Sequence, residues 1–209
     1  MNPEYWPKGP ITTVAALDQE ATEMVARLGW GLGTFAAVFS ADLDQLLLVQ
    51  LGDYAAKYYG GRPWTLPGGG VAPGESPSHA TARELLEECG LVVRADQLRP
   101  AGWFPRPYFK GRREHPGELV TLFTTVVPIP PPTLQVNWPE TTAAKWVTAD
   151  FEALAAVPPE GTGEHPLQPL PRHWLYWASI GREILTCPTS APWVHIYENP
   201  TEMKIAPSR

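Results

Sequence analysis

The segment "LPGGGVAPGESPSHATARELLEECGL", residues 66–91, constrains this chain more than any other part of it. Three consecutive glycines, residues 68–70, lie near its start, and a run with helix signals at both ends follows them. Ser76 is a favourable N-cap residue, Pro77 suits the first helical position, and Gly90 suits the left-handed conformation that ends a helix. The sequence therefore predicts one short helix directly after a glycine-rich stretch of backbone.

Negative charge is concentrated on this predicted helix. A helix advances about 100° per residue, which predicts a buried stripe made of Ala82, Leu85, Leu86 and Cys89. The opposite side then carries Glu84, Glu87 and Glu88. Like charges at these spacings repel by roughly 0.2–0.5 kcal/mol per pair, and anions in the last turn oppose the helix dipole by about 0.3–1 kcal/mol each.

A bound cation would reverse the sign of both unfavourable contributions. Hard divalent ions with oxygen ligands, Mg²⁺ or Mn²⁺, match a set of carboxylates. The alternative is that the glutamates form an ordinary solvated face of the helix. The residues around the helix distinguish these two interpretations.

The whole segment resembles the Nudix box, G-x5-E-x7-R-E-U-x-E-E-x-G-U, in which U is aliphatic. Every fixed position of that pattern is filled, by Gly69, Glu75, Arg83, Glu84, Leu85, Glu87, Glu88, Gly90 and Leu91. The resemblance implies an α/β fold, an α/β/α sandwich around a mixed β-sheet. It also implies hydrolysis of nucleoside diphosphates linked to another moiety.

The resemblance assigns expected roles by position. The expected metal ligands, for Mg²⁺ or Mn²⁺, are Glu84, Glu87, Glu88 and the carbonyl of Gly69. The expected catalytic group is Glu87, Glu88, Arg83 and Glu75, in which Glu75 and Arg83 form an ion pair that orients the carboxylates. The metal lowers the pKa of a water molecule that attacks phosphorus. Further candidates for the general base lie outside the box, at Glu114, Glu118, Glu160, Glu164 and His165.

Substrate identity is less constrained. In the family, a proline some 15–18 residues past the box is associated with ADP-ribose hydrolases. A tyrosine in that place is associated with dinucleoside polyphosphate hydrolases. This chain has Pro107 and Tyr108 there and so satisfies both rules. The expected substrate contacts are Trp103, Arg106, Pro107 and Tyr108, through aromatic stacking and phosphate binding. The favoured substrate is ADP-ribose or a nucleotide sugar. Dinucleoside polyphosphates, oxidised nucleoside triphosphates and a non-catalytic nucleotide-sensing module are the alternatives.

The remaining pattern predicts one α/β domain. Apolar runs predict strands at "GTFAAVFS", "QLLLVQL", "ELVTLFTTVV" and "AAKWVTA", and helical spacing predicts helices at 17–29 and 172–185. "WTLPGGGV" predicts a strand that ends in a glycine turn. We expect the domain to span residues 30–187, after an N-terminal arm and helix over 1–29 and before an irregular tail over 188–209.

Composition restricts the cellular compartment and the partners that we expect. Two cysteines form no disulfide framework, and neither a signal peptide nor a membrane-length apolar run is present, which favours a cytoplasmic protein. A net charge of −6 argues against a surface built for nucleic acid. The expected partner is a small nucleotide, with no membrane. Dimers are common in the Nudix family, but the sequence does not show a homodimer.

Overall fold

The computed structural model describes residues 11–53, 62–107, 116–129, 132–136, 139–156 and 170–187. Its helices are α1 (Val14–Leu28), α2 (Pro77–Cys89), α3 (Phe151–Ala156) and α4 (Arg172–Thr186), with a 3₁₀ turn at Ala95–Gln97. Its strands are β1 (Gly31–Ser40), β2 (Gln45–Leu51), β3 (Trp64–Thr65), β4 (Gly68–Gly70), β5 (Arg99–Pro107), β6 (Gly117–Val127) and β7 (Thr141–Thr148).

The seven strands form one mixed sheet in the order β3-β2-β1-β6-β5, with β4 paired to β1 and β7 paired to β2. Strand β6 runs parallel to β1 along its whole length, from Gly31↔Glu118 to Ser40↔Val127. The other edge of β1 is shared, because β2 pairs with it at Phe39 and β4 pairs with it from Gly33 to Phe35. The sheet thus divides between β1 and β2, and the glycine strand lies in that division.

Helices cover both faces of the sheet. Helices α1 and α2 pack on one face, where Leu17, Met24 and Leu85 join sheet residues such as Val38 and Leu47 in one buried cluster. Helices α3 and α4 pack on the opposite face with Leu154, Leu175 and Trp177. The predicted α/β/α sandwich around a mixed sheet is confirmed.

Local chemistry explains where the helices begin and end. Ser76 Oγ accepts a hydrogen bond from the backbone N–H of His79, and Gly90 ends α2 at φ +69°. Asp150 caps α3 by accepting from the N–H groups of Glu152 and Ala153 at 3.1 and 3.0 Å. The caps at Ser76 and Gly90 confirm the predicted boundaries of α2. Helix α1 begins at Val14, a few residues before the predicted start, because Thr13 accepts from Ala16 and acts as its N-cap.

The prediction of a glycine turn after Thr65 is wrong. Gly68–Gly70 is itself a strand, paired with β1. The glycines are needed because the chain passes so close to β1 that a Cβ on Gly68 would lie 2.7 Å from Cα of Phe35, at a φ of +150°. Among the described helices, none has both the length and the apolar character needed to cross a membrane.

Helix α1 is tied to the N-terminus of α2 by one carboxylate. Asp18 accepts from the backbone N–H of Ser78 at 2.9 Å and from its hydroxyl at 2.6 Å. The negative charge lies where the dipole of α2 favours it. Asp18 therefore acts as an additional cap delivered from a neighbouring helix.

We expect Asp18→Ala to lower the free energy of unfolding by about 1–2 kcal/mol, because two donors at the start of α2 lose their acceptor. Urea denaturation followed by circular dichroism measures the change. Asp96→Ala is the control, since Asp96 is an exposed residue paired with Arg94 and its loss should change stability by no more than about 0.5 kcal/mol. Equal stability of the two variants would contradict the capping role.

Candidate active site

Two carboxylates of α2 are buried one helical turn apart. Glu84 and Glu88 are 7% and 4% exposed and point toward the sheet, whereas Leu86 is 53% exposed. The predicted buried stripe is therefore wrong at Leu86, and the expected grouping of three carboxylates on the solvent side is wrong too. The buried arc of α2 instead passes through Thr81, Leu85 and Cys89 with the two glutamates among them.

Glu88 is held from two strands. The backbone N–H of Gly68 donates to its Oε2 at 2.8 Å, and the hydroxyl of Thr141 donates to its Oε1 at 3.3 Å. Burial nevertheless dominates, and it raises the pKa of Glu88 from 4.5 to about 8 against the opposing effect of the Gly68 N–H. The negative charge of Glu84 raises this pKa further. A buried carboxylate with this pKa is strongly disposed to take up a proton or a cation.

Glu84 lies directly against the glycine strand. A Cβ added to Gly69 would approach Cδ of Glu84 to 2.6 Å, and an oxygen of the carboxylate more closely still. The absence of a side chain at residue 69 is therefore what allows this carboxylate its position. Burial raises the pKa of Glu84, while the neighbouring Arg83 guanidinium lowers it.

Arg83 connects the carboxylates to the backbone. Its Nε and Nη2 donate to Glu75 at 3.0 and 3.1 Å, and Nη2 also donates to the carbonyl of Gly70 at 2.9 Å. Its Nη1 donates to both Glu84 and Glu87 at 2.9 Å. The bond from Arg83 holds the pKa of Glu75 below its usual value. The expected ion pair between Glu75 and Arg83 is thus present, and Glu87 is half-exposed and turned toward the arginine.

Glu140 is an acidic residue near the site that the sequence did not predict there. The charge of Glu140 raises the pKa of both Glu84 and Glu88, so Glu140 lies within electrostatic range of both carboxylates. Its position is set by the pairing of β2 with β7, beside which the N–H of Gly52 donates to the Glu140 carbonyl at 2.8 Å. No spacing rule connects residue 140 to the box, and it lies three residues before the predicted strand "AAKWVTA".

The structure describes the surroundings of two expected substrate contacts, Trp103 and Arg106. Trp103 is fully buried in the core on the α1/α2 face, which argues against the predicted stacking on a base. Its strand neighbours Phe104 and Arg106 point the other way, because successive residues of a strand alternate between faces. Arg106 donates to Glu118 at 2.9 Å, so the predicted phosphate ligand is engaged in an ion pair.

Several predicted residues cannot be placed in the site. Pro107 is the last residue of β5, opposite Gly117 in β6. Tyr108 and the base candidates Glu114, Glu160, Glu164 and His165 lie outside the described residues. Of the five base candidates, Glu118 is the one whose surroundings can be described.

The donors present suit a hard divalent cation. Within the described part of the chain, no three His, Cys, Asp or Glu side chains converge as a metal site. Glu84 and Glu88 are two carboxylates beside partly exposed glycine backbone, however, and Mg²⁺ usually takes one or two carboxylates while keeping waters and substrate phosphates as its other ligands. Their burial also makes a compensating positive charge favourable. The roles expected for Glu87 and for the Gly69 carbonyl stay predictions.

A separate cavity of about 420 Å³ lies between α1 and the loop that precedes α2. Its lining includes Val25, Trp30, Val71, Pro73 and Glu75. Glu75 is already bonded to Arg83 and to the N–H of Ala72 at 3.0 Å. The cavity therefore adjoins the ion pair between Glu75 and Arg83.

Known proteins share short stretches of sequence with this chain. The RNA pyrophosphohydrolase of Proteus mirabilis (strain HI4320) is 56% identical over 36 residues, which are 17% of this chain and 20% of that protein. The RNA pyrophosphohydrolase of Yersinia pestis (strain Pestoides F) is 53% identical over 36 residues, 17% of this chain and 21% of that protein. The chain thus matches about a fifth of the length of these curated relatives.

Solved structures share the fold. The MutT protein from Methanosarcina mazei Go1 has a TM-score of 0.50 at 19% identity, covering 74% of this chain and 94% of that one. The NUDIX domain of Shewanella oneidensis NrtR, complexed with ADP ribose, has a TM-score of 0.52 at 19% identity, covering 75% and 88%. At this identity the likeness is one of fold.

A family model described as NUDIX domain matches residues 31–165. The match begins at the first residue of β1 and includes the glycine strand, α2 and both buried glutamates. It covers well over half of the 209 residues. The chain belongs to the NUDIX domain family.

Proposed function

We propose that this protein is a divalent-metal-dependent hydrolase that cleaves the pyrophosphate bond of a nucleoside diphosphate derivative, of the ADP-ribose or nucleotide-sugar type. The observation that carries the proposal is the pair of buried carboxylates, Glu84 and Glu88, beside a strand that has no side chains. A pair of buried negative charges is unfavourable in an empty site and favourable once a cation is bound.

Glu84 and Glu88 would hold the cation, Mg²⁺ or Mn²⁺. Such an ion supplies positive charge to the pyrophosphate oxygens and makes an attacking water more acidic. Arg83 fixes the orientation of Glu84, and the Gly68 N–H and the Thr141 hydroxyl fix that of Glu88. Preorganised carboxylates need no rearrangement when charge develops at phosphorus.

A proton acceptor is also needed for the attacking water. Glu140 is exposed, and its charge acts on both buried glutamates, so we assign it to this role or to that of an additional ligand. Glu87 is the other choice within the box, held by Arg83 at 2.9 Å. A general base contributes about 10²–10⁴-fold to the rate.

Two of the comparisons bear on the substrate class. The structure of the Shewanella oneidensis NrtR domain contains ADP ribose, and its TM-score to this chain is 0.52. The short matches to RNA pyrophosphohydrolases make 5′-triphosphorylated RNA a second candidate. Both compounds carry a phosphoanhydride next to a ribonucleoside.

The test is a panel of substrates assayed with and without metal. We expect nucleotide products from ADP-ribose or a nucleotide sugar in the presence of Mg²⁺ or Mn²⁺, and a loss of at least about 10²-fold when a chelator removes the metal. The panel includes dinucleoside polyphosphates, oxidised nucleoside triphosphates and triphosphorylated RNA as competing substrates.

The products distinguish the alternatives. Preferred release of pyrophosphate from triphosphorylated RNA or from an oxidised triphosphate would replace the proposed substrate class while keeping the reaction. Binding of ADP-ribose without cleavage of any compound, at any metal concentration, would identify a nucleotide sensor and overturn the proposed hydrolysis.

A further inference from the structure

Two threonine hydroxyls meet between α2 and the sheet. Thr34 lies on the face of β1 that α2 covers, and its Oγ1 lies 2.5 Å from Oγ1 of Thr81. Both residues are fully enclosed, at 0% and 1% exposure. Thr81 donates its only hydroxyl proton to the carbonyl of Pro77 at 2.8 Å, so Thr34 is the donor of the bond between the two threonines. We call Thr34 and Thr81 the threonine pair.

The threonine pair lies beside the contact between Gly69 and Glu84. Thr34 is directly opposite Gly69 in the antiparallel pairing of β1 with β4. Directly opposite residues lie about 4.5–5.5 Å apart on one face of a sheet. Thr81 and Glu84 are three positions apart on α2, which makes them neighbours on one side of the helix, about 5–6 Å apart. The two contacts are therefore adjacent, and both join α2 to the same part of the sheet.

Each contact allows α2 to lie closer to the sheet than ordinary side chains would. Hydrogen-bonded hydroxyl oxygens approach to about 2.5–3.0 Å, whereas two methyl groups need about 3.5–4.0 Å. Residue 69 has no side chain, and a Cβ there would lie 2.6 Å from Cδ of Glu84. An apolar pair at residues 34 and 81 would push α2 outward by about 1 Å, next to the point where Glu84 passes the glycine strand.

Glu84 lies between two places at which α2 is hydrogen-bonded to the sheet. On one side is the threonine pair. On the other side is Glu88, which accepts from the N–H of Gly68 and from the hydroxyl of Thr141. Arg83 also joins α2 to the carbonyl of Gly70, but through a long side chain that is 34% exposed. The threonine pair makes its connection through two short and fully buried side chains, which leave the helix less freedom to shift.

We infer, resting on the proposed metal-dependent hydrolysis, that Thr34 and Thr81 are positioning residues for the cation site. Their hydroxyl contact sets the separation between α2 and the paired strands β1 and β4. That separation holds Glu84 in the position from which it and Glu88 bind the cation. The two threonines act through Glu84 and take no part in the chemistry themselves.

The test is Thr81→Val, which exchanges the hydroxyl for a methyl group of similar size and removes the bond. We expect the Mn²⁺ dissociation constant of the metal-free full chain, measured by calorimetric titration, to rise by at least about 10-fold, because loss of a group that orients metal ligands costs 10–100-fold in affinity. Thr34→Val changes the same contact from the sheet side and should have the same effect. Thr81→Ser keeps the hydroxyl and should bind Mn²⁺ within about threefold of the wild type.

Thr124→Val is the matched control for lost stability. Thr124 is equally buried, donates to the carbonyl of Ala37 at 2.9 Å, and lies against Gly181 of α4 on the opposite face of the sheet. Its replacement should lower the midpoint of urea denaturation as Thr81→Val does, because each substitution removes a buried hydrogen bond. It should leave the Mn²⁺ dissociation constant within about threefold of the wild-type value, since the two sites are separate.

Metal affinity separates this inference from the proposed function. Hydrolysis together with wild-type Mn²⁺ affinity in both valine variants of the threonine pair overturns the positioning role and leaves the hydrolase standing. An equal loss of affinity in Thr124→Val, no recovery in Thr81→Ser, or a wild type that binds no Mn²⁺ also overturns it. Loss of affinity confined to the two valine variants of the pair, in a protein that hydrolyses none of the substrates, supports the positioning role and removes the proposed reaction. If Thr81→Val does not fold, Thr34→Val decides.

Discussion

Glu88→Gln is expected to lower kcat by at least about 10²-fold and, at the same time, to make the metal-free protein more stable at alkaline pH. The loss of activity follows from the loss of a charged ligand at the proposed metal site. The gain in stability follows because Gln is neutral and can still accept the hydrogen bond from the Gly68 N–H.

The pH window of the stability gain follows from the pKa of Glu88. This pKa is about 4.5 in the unfolded chain and about 8 in the folded one, so the folded protein holds the proton more tightly. The contribution of protonated Glu88 to the stability of the wild type is fully present below pH 4.5. It is lost as the pH rises through 8. We expect the free energies of unfolding of the two proteins to be equal near pH 4 and to differ by about 2–5 kcal/mol at pH 9.

Urea denaturation with a chelator present, at pH 4 and pH 9, measures this difference. Glu183→Gln, at an exposed residue of α4, is the control and should show the wild-type dependence on pH. Saturating Mg²⁺ should remove the advantage of Glu88→Gln, because bound cation compensates the charge of the wild type. A variant with full activity, or one less stable than the wild type at pH 9, would refute the proposed role of Glu88.

Gly69→Ala is expected to have the second-largest effect, a loss of at least about 10²-fold in kcat/KM. The new methyl group would approach Cδ of Glu84 to 2.6 Å, and the carboxylate must move to accommodate it. A displacement of about 1 Å at a catalytic group can cost 10²-fold in rate. Overpacking should also reduce stability by about 1–3 kcal/mol.

Gly74→Ala is the matched control, because it lies in the same glycine-containing segment and a Cβ there meets nothing within 4 Å. Its φ of +80° disfavours alanine, so we expect a stability loss of about 1–2 kcal/mol with activity within threefold of the wild type. Steady-state kinetics and urea denaturation of both variants separate displacement of the carboxylate from general destabilisation. Wild-type kinetics in Gly69→Ala would show that Glu84 is not required at its observed position.

The burial that would prepare the two carboxylates for a cation also makes the metal-free site electrostatically unfavourable. Two carboxylates are packed into the side of a helix that would otherwise be an ordinary apolar stripe, and their burial raises both pKa values. Arg83 offsets part of this cost through its bonds to Glu84 and Glu87. Functional sites often keep unfavourable local electrostatics, which lower stability, because activity depends on them.

Short-range rules were sufficient for much of the fold. Helix α2 could be bounded from Ser76, Pro77 and Gly90 because capping depends on residues within one turn of each end. Strands β1, β2, β6 and β7 could be found because their apolar runs reflect burial in the sheet. The nine fixed positions of the box identified the family, which the match over residues 31–165 confirms.

The same rules misjudged which side of α2 is buried. The wheel placed Leu86 inside and the glutamates outside, on the assumption that apolar residues are buried and charged ones are solvated. In the fold, Leu86 is 53% exposed, and Glu84 and Glu88 are covered by β4 and β7. A helical wheel treats a helix as packed against a uniform apolar surface. It therefore does not show that β4 and β7 cover the part of α2 that carries Glu84 and Glu88.

The sequence by itself determined the local elements, the caps and the identity of the helix that bears the carboxylates, because these depend on residues close together in the chain. Tertiary structure alone decided which carboxylates are buried, that Glu140 lies near them, and that Glu118 lies over Gly33. Those positions arise from strand pairings such as β1 with β4, β2 with β7 and β1 with β6, which join residues 33–103 positions apart. Register between distant strands is set by packing of the whole core, and no local pattern encodes it.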